Sequence, residues 1–501
     1  MPHPREIFCL LVLFSPLWPS FAQAQCSSTL HASCESLCGT LPPEAPCRIA
    51  QCKRLAPDAT IDCGGRDILV ESNGRLIVEN GFGTLRGGSI VVGIAGTPES
   101  QSRRISATSS DPLLHPFGIV LEALDDITIH GYLEANSDHQ GGEIRLTAGG
   151  TVAITHSTGN RGLSAVGTAA NADGGTISIR SEAEVDIADD IEVDSGASGI
   201  SQGGQITIEA IGSISLAPDA HLKADGHSTP SESAAGGKIR VSSKYATNIQ
   251  GFIRAVGRGA YCDGGEIEIV GDPVLLSSAD LTVQGGFGSQ GGKASGGSVS
   301  IVSGPDGIVA SNTNLDMTGG AGGGGLDGDG LSLESGGDIN LGPNVLVDTR
   351  SRNLGGDGGT VILEAAGTIS LLSGTEIDAR GLAGIGAEGV GGEVQLTACS
   401  LNVLAGSSID AGGFDGGEIT LFGTRGGVLA GSVSTAATGG IDGEIALEHG
   451  GVGSCSNGSA CRFNPECTTG ICSVFDFALT PSSDFYPAPE MTRDPRAPYC
   501  L

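Results

Sequence analysis

The chain has 501 residues and a formal charge of −31, and 84 of the residues are glycine without the period of three that collagen requires. Such acidity excludes the basic footprint that nucleic acid or an anionic membrane would need, and leaves divalent cations or solubility as its uses. With 39% hydrophobic but only 4% aromatic residues, the chain is too apolar to be disordered and too poor in large side chains for an ordinary globular core. A narrow interior of Ile, Val, Leu and Ala reconciles the two.

Residues 1–24 read as an export signal. Arg5 precedes an apolar run from Ile7 to Leu17, and the segment ends Phe21-Ala22-Gln23-Ala24, an A-x-A cleavage signature that predicts a mature start at Gln25. No later stretch approaches about twenty apolar residues, so no transmembrane segment is expected in the mature chain. A lipid anchor on Cys26 would require a small residue before it, and Gln25 stands there. Residues 25–65 then form a cysteine-rich segment with Cys26, Cys34, Cys38, Cys47, Cys52 and Cys63. In an exported chain these read as disulfide staples capping one end of the fold, with the pairing left open.

Residues 66–450 carry the dominant signal, an internal repeat. From Gly141 the pattern Gly-Gly-x-Ile-x-Ile returns as GGEIRLTA, GGTISIRS, GGQITIEA and onward to DGEIALEH, with 25 to 33 residues between successive starts. Each unit holds three short alternating runs, as in QITIEA, GSISLAP and AHLKADG after Gly203. Alternation over four to six residues marks a half-buried strand, and strands this short bury a core only by coiling into stacked turns. The expected fold is all-β: a single-stranded right-handed parallel β-helix, a solenoid of about a dozen turns. Ile144, Ile177, Ile206, Ile239, Ile267, Val299, Leu331, Val361, Val394, Ile419 and Ile445 are expected to form one inner ladder, and the residues two further on, from Leu146 to Leu447, the next. The paired glycines suit a tight corner, through positive φ or close approach to the adjacent turn.

The outward face of the third strand is where carboxylates of successive turns would stack. The first outward column is expected to hold Glu134, Ser164, Glu192, Lys223, Arg254, Thr282, Asp316, Leu346, Asp378 and Asp410; the second, Asn136, Asp194, Asp225, Val256, Asp348 and Arg380. The patch Glu192, Asp194, Lys223, Asp225 and Arg254 could bind calcium or share a proton, with the arginine neutralising a uronate. Equally, opposite charges on adjacent strands fix register on a solvated face. No catalytic or cofactor-binding motif stands out elsewhere, and calcium is the one candidate ligand ion. The glycine-rich run 319–330 is a single imperfect copy of a calcium-binding nonapeptide, more simply read as a corner loop.

Residues 451–501 form a second cysteine-rich segment with Cys455, Cys461, Cys467, Cys472 and Cys500, again disulfide candidates, beside a sequon at Asn457. Thirteen cysteines remain after the signal, an odd number, which points to Cys262 or Cys399 as the unpaired one. The only tryptophan, Trp18, lies in the signal, and Tyr261, Phe287 and Phe414 are the aromatic residues of the expected corner loops.

The GG-x-[IV]-x-[ILV] units with their intervening AGTISL and EIDARG runs resemble the repeat region of filamentous-haemagglutinin-like bacterial adhesins, across roughly residues 66–450. The resemblance implies a secreted or cell-surface structural or adhesive protein without catalytic activity. Its partner would be a polysaccharide or cell-surface ligand met by corner loops such as 95–117 and 225–235. The alternative is an extracellular polysaccharide lyase or glycoside hydrolase of the β-helix type, acting on an acidic polysaccharide at the third-strand face.

Overall fold

The computed structural model describes residues 26–449, except positions 43, 72 and 426 and the segments 95–103, 110–115, 156–161, 197–198, 228–233, 260–261, 287–293, 320–329, 353–354 and 383–388, and gives the backbone of six short strands between 453 and 492. The signal-like residues 1–24, most of the 319–330 run, Tyr261, Phe287, Asn457 and the side chains of the C-terminal cysteines lie outside the described residues, as do large parts of the two corner loops expected to meet a partner.

The molecule is a parallel β-solenoid of about eleven turns. Third strands alone make a 16-stranded sheet, and first and second strands together make a 28-stranded one. The two rows of the larger sheet run into one another where 360–371 and 393–403 are single continuous strands. The inner ladder has the register the repeat predicts: Ile144 pairs with Ile177, Ile177 with Ile206, and so on through Ile419 and Ile445. These side chains are 0–1% exposed. β-Branched residues fit this interior because each turn repeats the same pleat, so a residue packs on its equivalents above and below.

The glycine pair has a specific task. The second glycine of each pair donates its N–H to the carbonyl that ends the preceding third strand: Gly175 to Ala165, Gly204 to Val193, Gly237 to Ala224, Gly265 to Ala255, at 2.6–2.8 Å. This bond closes the neck of each corner loop, so loops of different length bulge outward without disturbing strand register. A Cβ on the same glycine would overlap the carbonyl of the equivalent glycine one turn back, as Gly204 would meet Gly175 and Gly237 would meet Gly204. None of these four glycines has a positive φ. Close approach, and not a left-handed backbone, is what requires them.

Parallel pairing begins inside the cysteine-rich N-terminal segment, where Leu30–His31 pairs with Cys52–Leu55 and Cys47–Ile49 with Ile68–Val70. A one-turn helix, Cys34–Cys38, is capped by Ser33 and seats Leu37 in the core. Three disulfides, Cys26–Cys52, Cys34–Cys63 and Cys38–Cys47, tie it down. The open strand edge at this end is thereby covered. At the other end, Phe477–Leu479, Asp484–Tyr486 and Glu490–Thr492 each extend one of the three rows. Of the two repeat cysteines, Cys399 is disulfide-bonded, which corrects its place as a candidate unpaired residue. Cys262 keeps its thiol, buried, with Sγ donating to the Arg258 carbonyl at 3.2 Å.

Candidate functional site: the third-strand face

The expected first outward column forms, with one correction. Glu134, Ser164, Glu192, Lys223, Arg254, Thr282 and Asp316 follow one another in hydrogen-bonded register. The next member is Asp348, not Leu346, followed by Asp378 and Asp410; Leu346 lies between Asn314 and Glu376. Here the strand sits two residues further along than the expected register, so Asp348 belongs to the first column and Arg350 takes its place in the second.

This shift assembles a ladder of four aspartates, 316, 348, 378 and 410, invisible as a unit in the sequence. Arginines lace it: Arg350 reaches Asp348 at 2.7 Å and Asp378 at 3.3 Å, Arg352 reaches Asp316 at 3.1 Å, and Arg380 reaches Asp378 at 2.6 Å and Asp410 at 3.7 Å. The Asp348 and Asp378 side chains are nearly buried beneath these guanidiniums. Hydrogen bonding to Asp348 holds the Arg350 charge more firmly than usual, despite the opposing cost of burial. Asp410 is shifted up, first by burial.

All five residues of the 192–254 patch come together. Lys223 Nζ lies 3.4 Å from Glu192 Oε1 and 3.4 Å from Asp190 Oδ2. Asp225 Oδ2 receives Arg254 at 3.1 Å and Arg258 at 2.5 Å, and Asp225 Oδ1 accepts the Val256 N–H at 3.0 Å. Asp194 Oδ1 in turn accepts the Asp225 N–H at 2.9 Å. Burial pushes the Asp194 carboxyl up to about 7, and the Asp225 and Glu192 charges push the same way, against that backbone hydrogen bond and the Arg258 charge. Two members were missed from sequence, Asp190 and Arg258. Both lie outside the alternating strand positions from which the face was read, Asp190 in the turn before its strand and Arg258 in a two-residue strand, Gly257–Arg258, at the corner after it, paired with Gly226–His227.

The Asp194 and Asp225 contacts belong to a recurring device in which a carboxylate caps a backbone N–H of the next turn. Asp67 accepts from Ser89, Asp126 from Thr151, Asp263 from Ser295, Asp338 from Thr368, Asp357 from Val390 and Asp415 from Ile441, all at 2.7–2.9 Å. Much of the acidity therefore has a structural use. A second acidic feature flanks the glycine corner, where Glu393, Glu418 and Glu444 stack in register and line an open trough of about 840 Å³. Among the described residues, metal-ligand atoms of three or more side chains converge only at Cys34, Cys38, Cys47 and Cys63, whose sulfurs are engaged in disulfides. No helix among the described residues is long and apolar enough to cross a membrane.

The fold and this face define a parallel β-solenoid with an ion-paired outer sheet. Compared with known protein families, curated proteins and solved structures, the chain matches none. The parallel β-solenoid that the adhesin resemblance implies is present.

Proposed function

We propose that this chain is a secreted or cell-surface structural rod, adhesive through its outer surface and without catalytic activity, and that its partner is a polysaccharide or other cell-surface ligand. The observation that carries this reading is the occupation of the third-strand carboxylates. Asp225 is held by two arginines and a backbone N–H, and Asp348 and Asp378 lie under arginines. A general base needs a lone pair facing substrate and a calcium ligand one facing the ion, and a face whose carboxylate lone pairs are engaged by arginines and backbone N–H groups within and between turns reads as scaffold. The export signal at residues 1–24 and the N-terminal disulfides support an extracellular location.

One observation favours the second reading, an extracellular lyase or hydrolase for acidic polysaccharide: a carboxyl poised near 7, Asp194, beside a second carboxylate and two arginines. A screen of the mature protein against acidic and neutral polysaccharides, with and without calcium, separates the two. Binding without release of reducing or unsaturated ends is the expected result. Cleavage that disappears in Asp194→Ala and Asp225→Ala would replace the rod by the enzyme.

A further inference from the structure

Near the N-terminal end of the same outer sheet, one column runs Cys52, Arg75, Arg104, Tyr132 in register. Two arginines on adjacent strands face outward together, an arrangement that like-charge repulsion disfavours. Of the two, Arg104 alone forms an ion pair among the described residues, with Glu134 at 2.9 Å. The neighbouring Arg54 is paired with Glu79. Three guanidiniums thus share two carboxylates, and Arg75 is left without an ion-pair partner among the described residues.

Arg75 is not a solvated surface cation like the exposed Arg180 and Arg425; it is only partly exposed. Burial and the Arg104 charge both lower its proton affinity, and Glu134 only partly opposes them. The Nε atoms of Arg75 and Arg104 are buried and have no acceptor. Arg240 and Arg254 share that trait, but their terminal nitrogens sit on Glu268 and Asp225. Beside the pair, Ser106 is 3% exposed on the same outward parity as Arg104, and its hydroxyl also lacks a partner. The unmet donors of this half-withdrawn guanidinium pair, with the hydroxyl beside them, suit an acceptor with several oxygens.

We infer that Arg75, Arg104 and Ser106 form a binding site for an oxyanion, the carboxylate or sulfate of an acidic saccharide. The planar guanidinium fork of Arg75 grips two of its oxygens, and Arg104 shares its charge between Glu134 and the ligand. The inference does not depend on the rod being adhesive, because an enzyme could also hold an acidic chain here, away from the 192–254 patch.

The test is calorimetric titration of the mature protein with trigalacturonate and, separately, sodium sulfate, at constant ionic strength. Saturable binding of at least one, weakened about tenfold in Arg75→Gln, is expected from the loss of one charge-assisted contact. Arg75→Lys keeps the charge without the fork and should fall between; it also serves if the glutamine variant does not reach the wild-type circular dichroism spectrum. Binding of trigalacturonate alone would identify a carboxylate site, and of sulfate alone a sulfate site. Absence of binding by the wild type to both probes, or equal binding by wild type and both Arg75 variants, would overturn the assignment.

Discussion

Asp194 does two things that oppose each other. Its Oδ1 caps the Asp225 N–H, while its charge, partly withdrawn from water, faces the Asp225 carboxylate. The folded state raises its pKa to about 7 from an ordinary 3.8, so the folded protein holds a proton the unfolded chain releases. Stability is therefore greatest below the unfolded value and is lost as pH climbs from about 4 to about 7. Asp194→Asn keeps the accepting oxygen and cannot ionise. It should be more stable than the wild type at pH 8, by on the order of 1–3 kcal/mol, and the difference should close near pH 4. Urea melts at the two pH values check this; a difference independent of pH would mean that the carboxyl is ionised at no cost. In contrast, Asp225→Ala leaves Arg254 and Arg258 without their shared acceptor and exposes the Val256 N–H. It should destabilise the fold by about 2–4 kcal/mol.

At the scale of the strand and its corner, the second glycine of each pair is the least replaceable residue. Gly204→Ala would drive a methyl into the Gly175 carbonyl and open the Gly204 to Val193 hydrogen bond. A loss of roughly 2–4 kcal/mol is expected, against a few tenths for Glu209→Ala at an exposed position of the same strand, measured by thermal melting. The sequence made this element legible because Gly-Gly and the alternation after it recur together. Hence the ladder from Ile144 to Ile445 was readable residue by residue. Alternation has period two, however, and is blind to a slip of two. Val345, Leu346, Val347 and Asp348 keep the same inward and outward faces whether Leu346 or Asp348 opposes Asp316, and only the hydrogen-bonded register decides for Asp348. The aspartate ladder was hidden for that reason. Asp190 and Arg258 escaped for another: turns and corners have no period from which to read a facing direction.

At the scale of the whole molecule, each turn touches only the turns beside it, so stability is a sum of neighbour contacts and the ends decide how the stack frays. The N-terminal end is held by Cys26–Cys52, Cys34–Cys63 and Cys38–Cys47, which bind the helix and the first strands across sequence separations of 26, 29 and 9 residues. Closing loops of this size contributes about 2–4 kcal/mol for each of the two longer links. Reduction should therefore release residues 30–62 first and leave central turns such as 205–254, which rest on their own ladders and caps, protected. Hydrogen exchange with and without reductant reads this directly. Exchange should quicken in strands 30–31, 47–49, 52–55 and 59–62 and stay slow in 205–210 and 238–243. Uniform acceleration along the chain would mean that the solenoid melts as one cooperative unit, and that the end staples stabilise the entire rod and not merely its first turns.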